Sequence, residues 1–539
     1  MARLHTAIAT LAGCVAAVFC PFSMAEETAS PDAVAAAAQA NAADAGVPEA
    51  DAGAPASESS APAAESGGGD GLFEQSIAAA APGNSSAGAK EPAFQLGGYT
   101  RGDLFVGKVP GYRQGNIKAG YGELALVARS KKESFGDAFA EARVRYGMLG
   151  EQDQTATLDV REAYVNGYFG PLQLRLGKQI IVWGRADLLN PTNNITPIDF
   201  RMRSPIEDDR RIGNVGARAF LRLSPFRVEG VWMPTYAPTE LPQVTLPQYV
   251  ELGSPNYPKP ELDRGLYAGR IHLELPAIEM SASYLRGYAP LPALAWNSIT
   301  FSTQNPSAIL ARTAYRQQVV GFDFSTAISD IVAIRGEAAY RRPYTYDDNV
   351  NVSESCRASL TNLCASTADY ANVLGAIRPD LQYALGADHS FGSVSVIAQY
   401  LGRYTFDWQK EQGSADVTDT SRLENNSPSG VDRSGAQDIA KAQLRKTNQI
   451  LFSKTARVQH LATVRVEWLT LHDTLSLSAL GMMNFTTKEW LASPKIGYHM
   501  SDSLVAYLGA EILTGPTGTL FGLVDQQLSA GYVELRSTF

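Results

Sequence analysis

The amino-acid sequence predicts an all-β chain that closes antiparallel strands into a transmembrane barrel. Three observations carry that expectation. From Phe94 onward, apolar and polar residues alternate with period two. The connections between the alternating runs are short and long in turn. Beyond the first 25 residues, no stretch offers the ~20 consecutive apolar residues that a spanning helix needs.

The chain has 539 residues, 19% of them charged, and a mean hydropathy of −0.13. These values fit neither a helical membrane protein nor a nucleic-acid binder.

The first segment reads as a secretory signal peptide, residues 1–25. "MARLH" carries one Arg. "TAIATLAGCVAAVFCPF" is the apolar core, and Ser23-Met24-Ala25 is a small-x-small cleavage site. "LAGC", Leu11 to Cys14, leaves a lipoprotein box as the second reading. Both take the chain out of a bacterial cytoplasm.

Residues 26–92 are rich in Ala, Ser, Gly and Pro, with eleven acids and one base, Lys90. Such a composition buries too little apolar area to offset chain entropy, so a disordered periplasmic tail is expected. Residues 93–539 then hold 44 acids and 44 bases, so the body is neutral and the whole negative balance lies in the tail. The tail is a solvated spacer or a docking arm for a periplasmic partner, with 71–77 as its one apolar island.

The body follows. In 137–148, Ala138, Ala140, Ala142, Val144, Tyr146 and Met148 alternate with Asp137, Glu141, Arg143 and Arg145. In 267–275, Tyr267, Ile271 and Leu273 alternate with Arg270, His272 and Glu274; Val464, Val466 and Trp468 alternate with Arg465 and Glu467. Strict alternation marks a strand with one apolar and one polar face. Soluble sandwiches alternate too, but their strands average about five or six residues. Runs of about nine or more suit a tilted membrane strand. About 18 runs are found, with 16 as the alternative because 478–482 and 489–500 are weak. Long connections fall at 184–212, 234–264, 287–314, 341–378 and 402–455. Short turns on one side and long loops on the other match an outer-membrane barrel, whose closure leaves no unpaired edge in lipid. An even strand number puts both ends on the periplasmic side.

Catalytic signatures are absent. The five His of the mature chain (272, 389, 460, 472, 499) form no metal or hydrolase motif, and no phosphate loop occurs. No enzyme activity, metal or cofactor is expected. Cys356 and Cys364 lie eight apart in a polar stretch, and an oxidising compartment favours a local disulfide between them.

The inward parity carries charge: Arg101, Asp103, Glu123, Arg143, Arg145, Arg175, Arg218, Arg222, Arg270, Arg335, Glu337, Arg465, Glu467, Glu534 and Arg536. An Arg in lipid at mid-depth costs about 2–4 kcal/mol, so these side chains point inward. They either brace the wall by pairing or line a track that orients a solute.

The fifth strand runs from Leu172 to about Val182 and ends at the outer rim, with Trp183 at the membrane interface. The third outer loop, 184–212, then sets Arg185, Arg201, Arg203, Arg210 and Arg211 against Asp187, Asp199, Glu207, Asp208 and Asp209. Two readings fit it: a segment folded into the lumen that narrows it, or a loop packed on the rim.

On these residues the chain resembles the bacterial outer-membrane porin and porin-like β-barrel superfamily over 94–539. The pattern Gly177, Lys178, Gln179, Trp183, Gly184, Asp187, Asn190, Pro191 is similar to one in large, poorly characterised barrel families. The final strand, "GYVELRSTF", resembles the C-terminal signal read by the barrel-assembly machinery, closed by Phe539; Ser537 departs from its usual aromatic. The resemblance implies a bacterial outer-membrane site facing lipid and lipopolysaccharide. It implies a passive channel for small polar or anionic solutes, narrowed by 184–212, with no nucleic-acid partner. The alternatives are an export or lipid-transfer component docked through the tail, or a receptor or adhesin using loops 341–378 and 402–455.

Overall fold

The computed structural model describes residues 94–539, apart from 109–114, 133–134, 150–154, 242–249, 263, 301–306, 330–331, 345–361, 365, 367–375 and 412–432. The signal peptide and tail, residues 1–92, and Cys356 lie outside the described residues.

Eighteen strands build one wall. They are β1 Phe94–Lys108, β2 Gly115–Lys132, β3 Gly136–Met148, β4 Thr155–Phe169, β5 Leu172–Gln179, β6 Asn214–Leu223 and β7 Phe226–Met233. β9 Leu266–Glu274, β10 Ile278–Tyr288, β13 Arg316–Ser329, β14 Val332–Tyr344, β16 Asp380–Phe391 and β17 Val394–Thr405 follow. β18 Val458–Thr470, β19 Leu475–Asn484, β20 Glu489–Ser501, β21 Leu504–Thr514 and β22 Ala530–Thr538 complete it. Each pairs antiparallel with the next, and β22 pairs back onto β1, so the sheet closes. The protein is a transmembrane antiparallel barrel of 18 strands, and the two weak runs are β19 and β20.

Alternation explains the wall. Along β1, Arg101, Asp103 and Phe105 are buried while Leu104 and Val106 are exposed. Along β3, Arg143 and Arg145 are buried while Val144 and Tyr146 are exposed. A one-residue slip would exchange the two sets, so register is fixed by burying charge inside and leaving apolar groups for lipid.

Closure comes at the chain's end. Phe539 N–H donates to the Gly98 carbonyl (3.0 Å), and Gly98 N–H donates to the Phe539 carbonyl (2.9 Å). A Cβ on Gly98 would lie 2.0 Å from the Ala125 carbonyl oxygen, so the backbones can approach only with glycine there.

The outer connections are less uniform than the alternation suggests. Residues 485–488 make a four-residue turn between β19 and β20. The long loops, by contrast, carry structure of their own that alternation does not reveal. β8 Val250–Leu252, β11 Ala293–Thr300, β12 Ser307–Thr313 and β15 Asn362–Cys364 form a separate four-stranded sheet. Helix α1, Arg433–Leu451, packs on it: Asn448 Nδ2 donates to the Leu294 carbonyl (2.8 Å), and Leu294 N–H donates to Asn448 Oδ1 (2.9 Å). Trp296, Ile299, Leu310, Tyr315, Leu444 and Phe452 share one apolar core with Ile198 and Phe200 of the third outer loop. A second helix, α2 Leu520–Leu528, buries Leu520, Phe521 and Val524 against Leu188 of the same loop. Cys364, one half of the expected disulfide, sits on β15.

Candidate functional site: the segment that crosses the lumen

β5 stops at Gln179, three residues before the expected end. Ile181 and Trp183 do not continue up the wall. They are buried with Val231, Met233, Leu285 and Val319, which lie on inward positions of other strands. Trp183 is 1% exposed and donates from Nε1 to Glu229 Oε1 (3.0 Å). The expected membrane-interface Trp is therefore a lumenal one. The cause is its partner: a buried indole N–H needs an acceptor, and Glu229 supplies it inside.

Gly184 then turns the chain at φ +105°. A Cβ there would lie 1.9 Å from Asn190 Oδ1, so only glycine fits. Asn190 Oδ1 also accepts from Asn193 N–H and Thr192 Oγ1, both at 3.1 Å, which braces the turn through Pro191.

From here the segment reaches opposite parts of the wall. Arg185 donates to Asp323 of β13 (2.9 Å) and Glu279 of β10 (2.9 Å), and its N–H to Glu337 of β14 (3.0 Å). Asp187 accepts from Arg465 of β18 (2.8 Å). Further on, Asp209 accepts from Arg101 of β1 (2.5 Å), Arg143 of β3 (2.8 Å) and Ser204 (2.6 Å). Arg203 donates to the Leu528 carbonyl (2.7 Å), and Arg210 to Glu511 of β21 (2.8 Å). Asp208 and Arg211 pair with each other (2.6 Å), and the Asp208 carbonyl accepts from Arg161 of β4 (2.6 Å). Asp199 and Arg201 differ. They pair at 3.1 Å near Glu240, with the Arg201 side chain 49% exposed, on the outer side of the segment.

Burial alone would raise the Asp209 carboxyl. Arg101, Arg143, Arg536 and Arg161 overcome it and hold the group well below the usual carboxylate range. A buried carboxylate among several guanidinium groups is an anchor: removing one member of such a pair costs about 3–5 kcal/mol.

The wall residues have their own partners. Arg145 pairs with Glu123, and Arg175 donates to Asn166 (2.9 Å) and stacks 4.2 Å from the Tyr164 ring. Arg218 pairs with Glu229 (2.8 Å), Arg270 with Asp323 (2.7 Å), and Arg335 with Asp388. Glu337 accepts from Thr192 (3.1 Å), and Glu467 lies 3.9 Å from Arg465. Arg222 is exposed at the short-turn end beside Ser224-Pro225, away from the segment.

Several of these partners were missed from the sequence: Arg161, Glu229, Glu279, Asp323 and Glu511; Glu141 was on the charged parity of its run but not among the inward residues named. Alternation would have found them. Asp323 is buried between outward-pointing Phe322 and its neighbours on one parity, as Glu229 is beside exposed Val228. Among the described residues no group of His, Cys, Asp and Glu is placed to hold a metal ion.

A closed wall with lipid-facing apolar residues and a charged interior defines a membrane-spanning β-barrel. Residues 117–244 match one family model, described as "Protein of unknown function (DUF1302)". No curated protein matches the sequence. Solved structures similar to this chain include three proteins. OccAB2 of Acinetobacter baumannii has 11% identity and a TM-score of 0.42. The outer membrane protein OpdK of Pseudomonas aeruginosa has 8% and 0.44. A BenF-like porin of Pseudomonas fluorescens Pf-5 has 8% and 0.45. Each comparison covers 83% of this chain and 98% of the other.

Proposed function

We propose that the protein is a bacterial outer-membrane channel for passive diffusion of small polar or anionic solutes, its lumen narrowed by 184–212. The observation that supports this most directly is the segment itself. It is ion-paired to β10, β13 and β18 at one end and to β1, β3 and β21 at the other. A barrel of 18 strands has an interior wider than side chains alone fill, so a segment across it sets the free cross-section. Nothing in the reading couples transport to energy; solutes move down their gradient. The test is single-channel conductance in planar bilayers. Removing 184–212 should raise conductance severalfold and weaken ion selectivity. Unchanged conductance and selectivity would overturn the narrowing.

The docking alternative rests on the tail. Deleting 26–92 should spare conductance if the protein is a channel, and abolish activity if the tail recruits a periplasmic partner. The pairing of Cys356 with Cys364 remains part of this proposal for the outer loops, tested by a mobility shift on reduction.

A further inference from the structure

Many inward arginines of the wall meet carboxylates. A group of outward ones at the outer rim does not. β10 and β14 end, and β13 begins, at long outer connections, and near those ends their outward positions carry Arg286, Arg316 and Arg342. Arg286 stands opposite Gln318, and Gln318 opposite Arg342, in one row across three adjacent strands. Arg286 and Arg342 are exposed, and among the described residues neither has an acidic partner. The outward alternate positions of these strands, from Ile278 to Tyr288, Arg316 to Thr326 and Ile334 to Tyr344, hold no Asp or Glu.

Tyrosine stands where the carboxylate would be. Arg286 Nε donates to Tyr344 Oη (3.0 Å), and the Arg316 guanidinium lies 5.5 Å from the Tyr288 ring. Further round the rim, exposed Arg457 donates to Tyr404 Oη from Nε (3.1 Å) and Nη2 (2.6 Å). Edge contacts of Phe406 with Tyr340 (5.5 Å) and Tyr404 (4.9 Å) join the two groups. A phenol oxygen or a ring face orients a guanidinium but leaves its charge in place. The rim therefore presents cations that are held without being neutralised.

Their depth is set by what lies below. One pleat toward the membrane centre stand Tyr284, Val320 and Tyr340, and one further Ala282, Phe322 and Ala338. Tyr284, Val320, Phe322 and Tyr340 are exposed, and the two tyrosines fit the aromatic girdle at an interface. The arginine row thus lies at head-group level with an apolar surface directly beneath it. Arg286 and Arg342 are two strand spacings apart, about 10 Å, with the Gln318 amide between them. A phosphate lodged there meets two planar forks of N–H donors, the geometry that guanidinium groups offer to phosphate.

We propose that the row Arg286, Gln318 and Arg342, with Arg457 further round the rim, is a binding site for the phosphate of lipopolysaccharide. The phosphate of the lipid anchor lies between Arg286 and Arg342, and an acyl chain runs down over Val320 and Phe322. The apolar surface under the cations favours a lipid over free phosphate, and the long-loop end of the strands favours the outer leaflet. The inference goes beyond the channel reading and does not rest on it, since the site lies outside the wall and needs no conductance.

The test is native mass spectrometry of the full-length protein in detergent, titrated with bisphosphorylated lipid A. Wild type should bind it, and should bind dephosphorylated lipid A, which keeps every acyl chain, about tenfold more weakly. Excess inorganic phosphate should not displace the lipid. R286Q/R342Q should lose about tenfold in affinity for the bisphosphorylated form, while its heat-modifiable mobility on a semi-native gel, which reports the closed barrel, matches wild type. Y344F keeps both ring and charge and should weaken binding about threefold, through the lost orientation of Arg286. K108Q, which removes an exposed cation at the outer end of β1, should leave binding unchanged. Equal binding of the two lipid A forms by wild type, displacement by inorganic phosphate, or undiminished binding in R286Q/R342Q would overturn the site. The first two read wild type alone, so they decide the matter even if the double variant does not fold.

Discussion

Gly184 and Asp209 show how much of the segment's course depends on single side chains. At Gly184 any Cβ meets Asn190, and the φ of +105° is one that L-residues avoid. G184V should cost about 2–4 kcal/mol locally, from backbone strain and the lost Asn190 turn. The barrel should still assemble, but trypsin should cut at Arg185 and Arg201 faster than in wild type. Equal cleavage rates would show that the turn does not hold the segment. D209N leaves Arg143 with Glu141 and Arg101 with Glu123, so its cost should lie near the low end of about 3–5 kcal/mol. Open-channel noise should rise as the segment loosens. The pH dependence has a definite sign. The folded Asp209 carboxyl titrates below its unfolded value of ~3.9. Its stabilisation is therefore complete above that value and is lost only as pH falls through the lower folded one. Conductance noise should be flat from about pH 8 to pH 4 and should increase only in stronger acid.

Among the elements, the one joining α1 to β18 offers a titration at the opposite end of the scale. Lys454 is buried and pairs with Asp380 (3.2 Å), which Arg341 (2.6 Å) and Arg403 (3.5 Å) also hold. Its ammonium donates to the Arg378 carbonyl as well. Burial pulls the Lys454 ammonium down to about 8, against the attraction of Asp380. A lysine whose folded value lies below its unfolded ~10.4 binds fewer protons folded than unfolded in between, so stability rises with pH across that window. The thermal midpoint in detergent should increase between about pH 8 and pH 10 in wild type and stay level in K454M. Parallel curves for the two proteins would count against a buried, depressed Lys454.

The same scale shows what was legible in advance. Period-two alternation located the strands and sorted Arg143, Arg145 and Arg270 to the inside, because each strand solves the same two-solvent problem locally. Loop order placed 184–212 third. Alternation says nothing about partners far along the chain. Arg185 meets Asp323, and Asp187 meets Arg465, only because a ring brings distant strands face to face. Trp183 was misplaced for a related reason: an aromatic at a strand end suits the lipid interface, and only the presence of Glu229 makes the lumen better. The outer sheet escaped notice because β8 and β15 are three residues each and gain their stability from packing on β11, β12 and α1.

For the whole molecule, closure is the decisive contact. The final strand pairs on both sides, and Phe539 exchanges two backbone bonds with Gly98. Removing Phe539 should delete both bonds at the seam and lower the heat stability of the folded barrel on a semi-native gel; an unchanged transition would assign Phe539 to assembly signalling alone.

That seam also has a history in time. β1 has β2 as its sole neighbour until β22 is made, and the two partners of the last pairing, Tyr99 and Thr538, stand at opposite ends of the barrel sequence. Contacts so distant in sequence are slow to find, and an edge left waiting is a template for any other extended chain. Until β22 pairs with it, the free edge of β1 is open to any other extended chain. The finished ring has no edge left to offer.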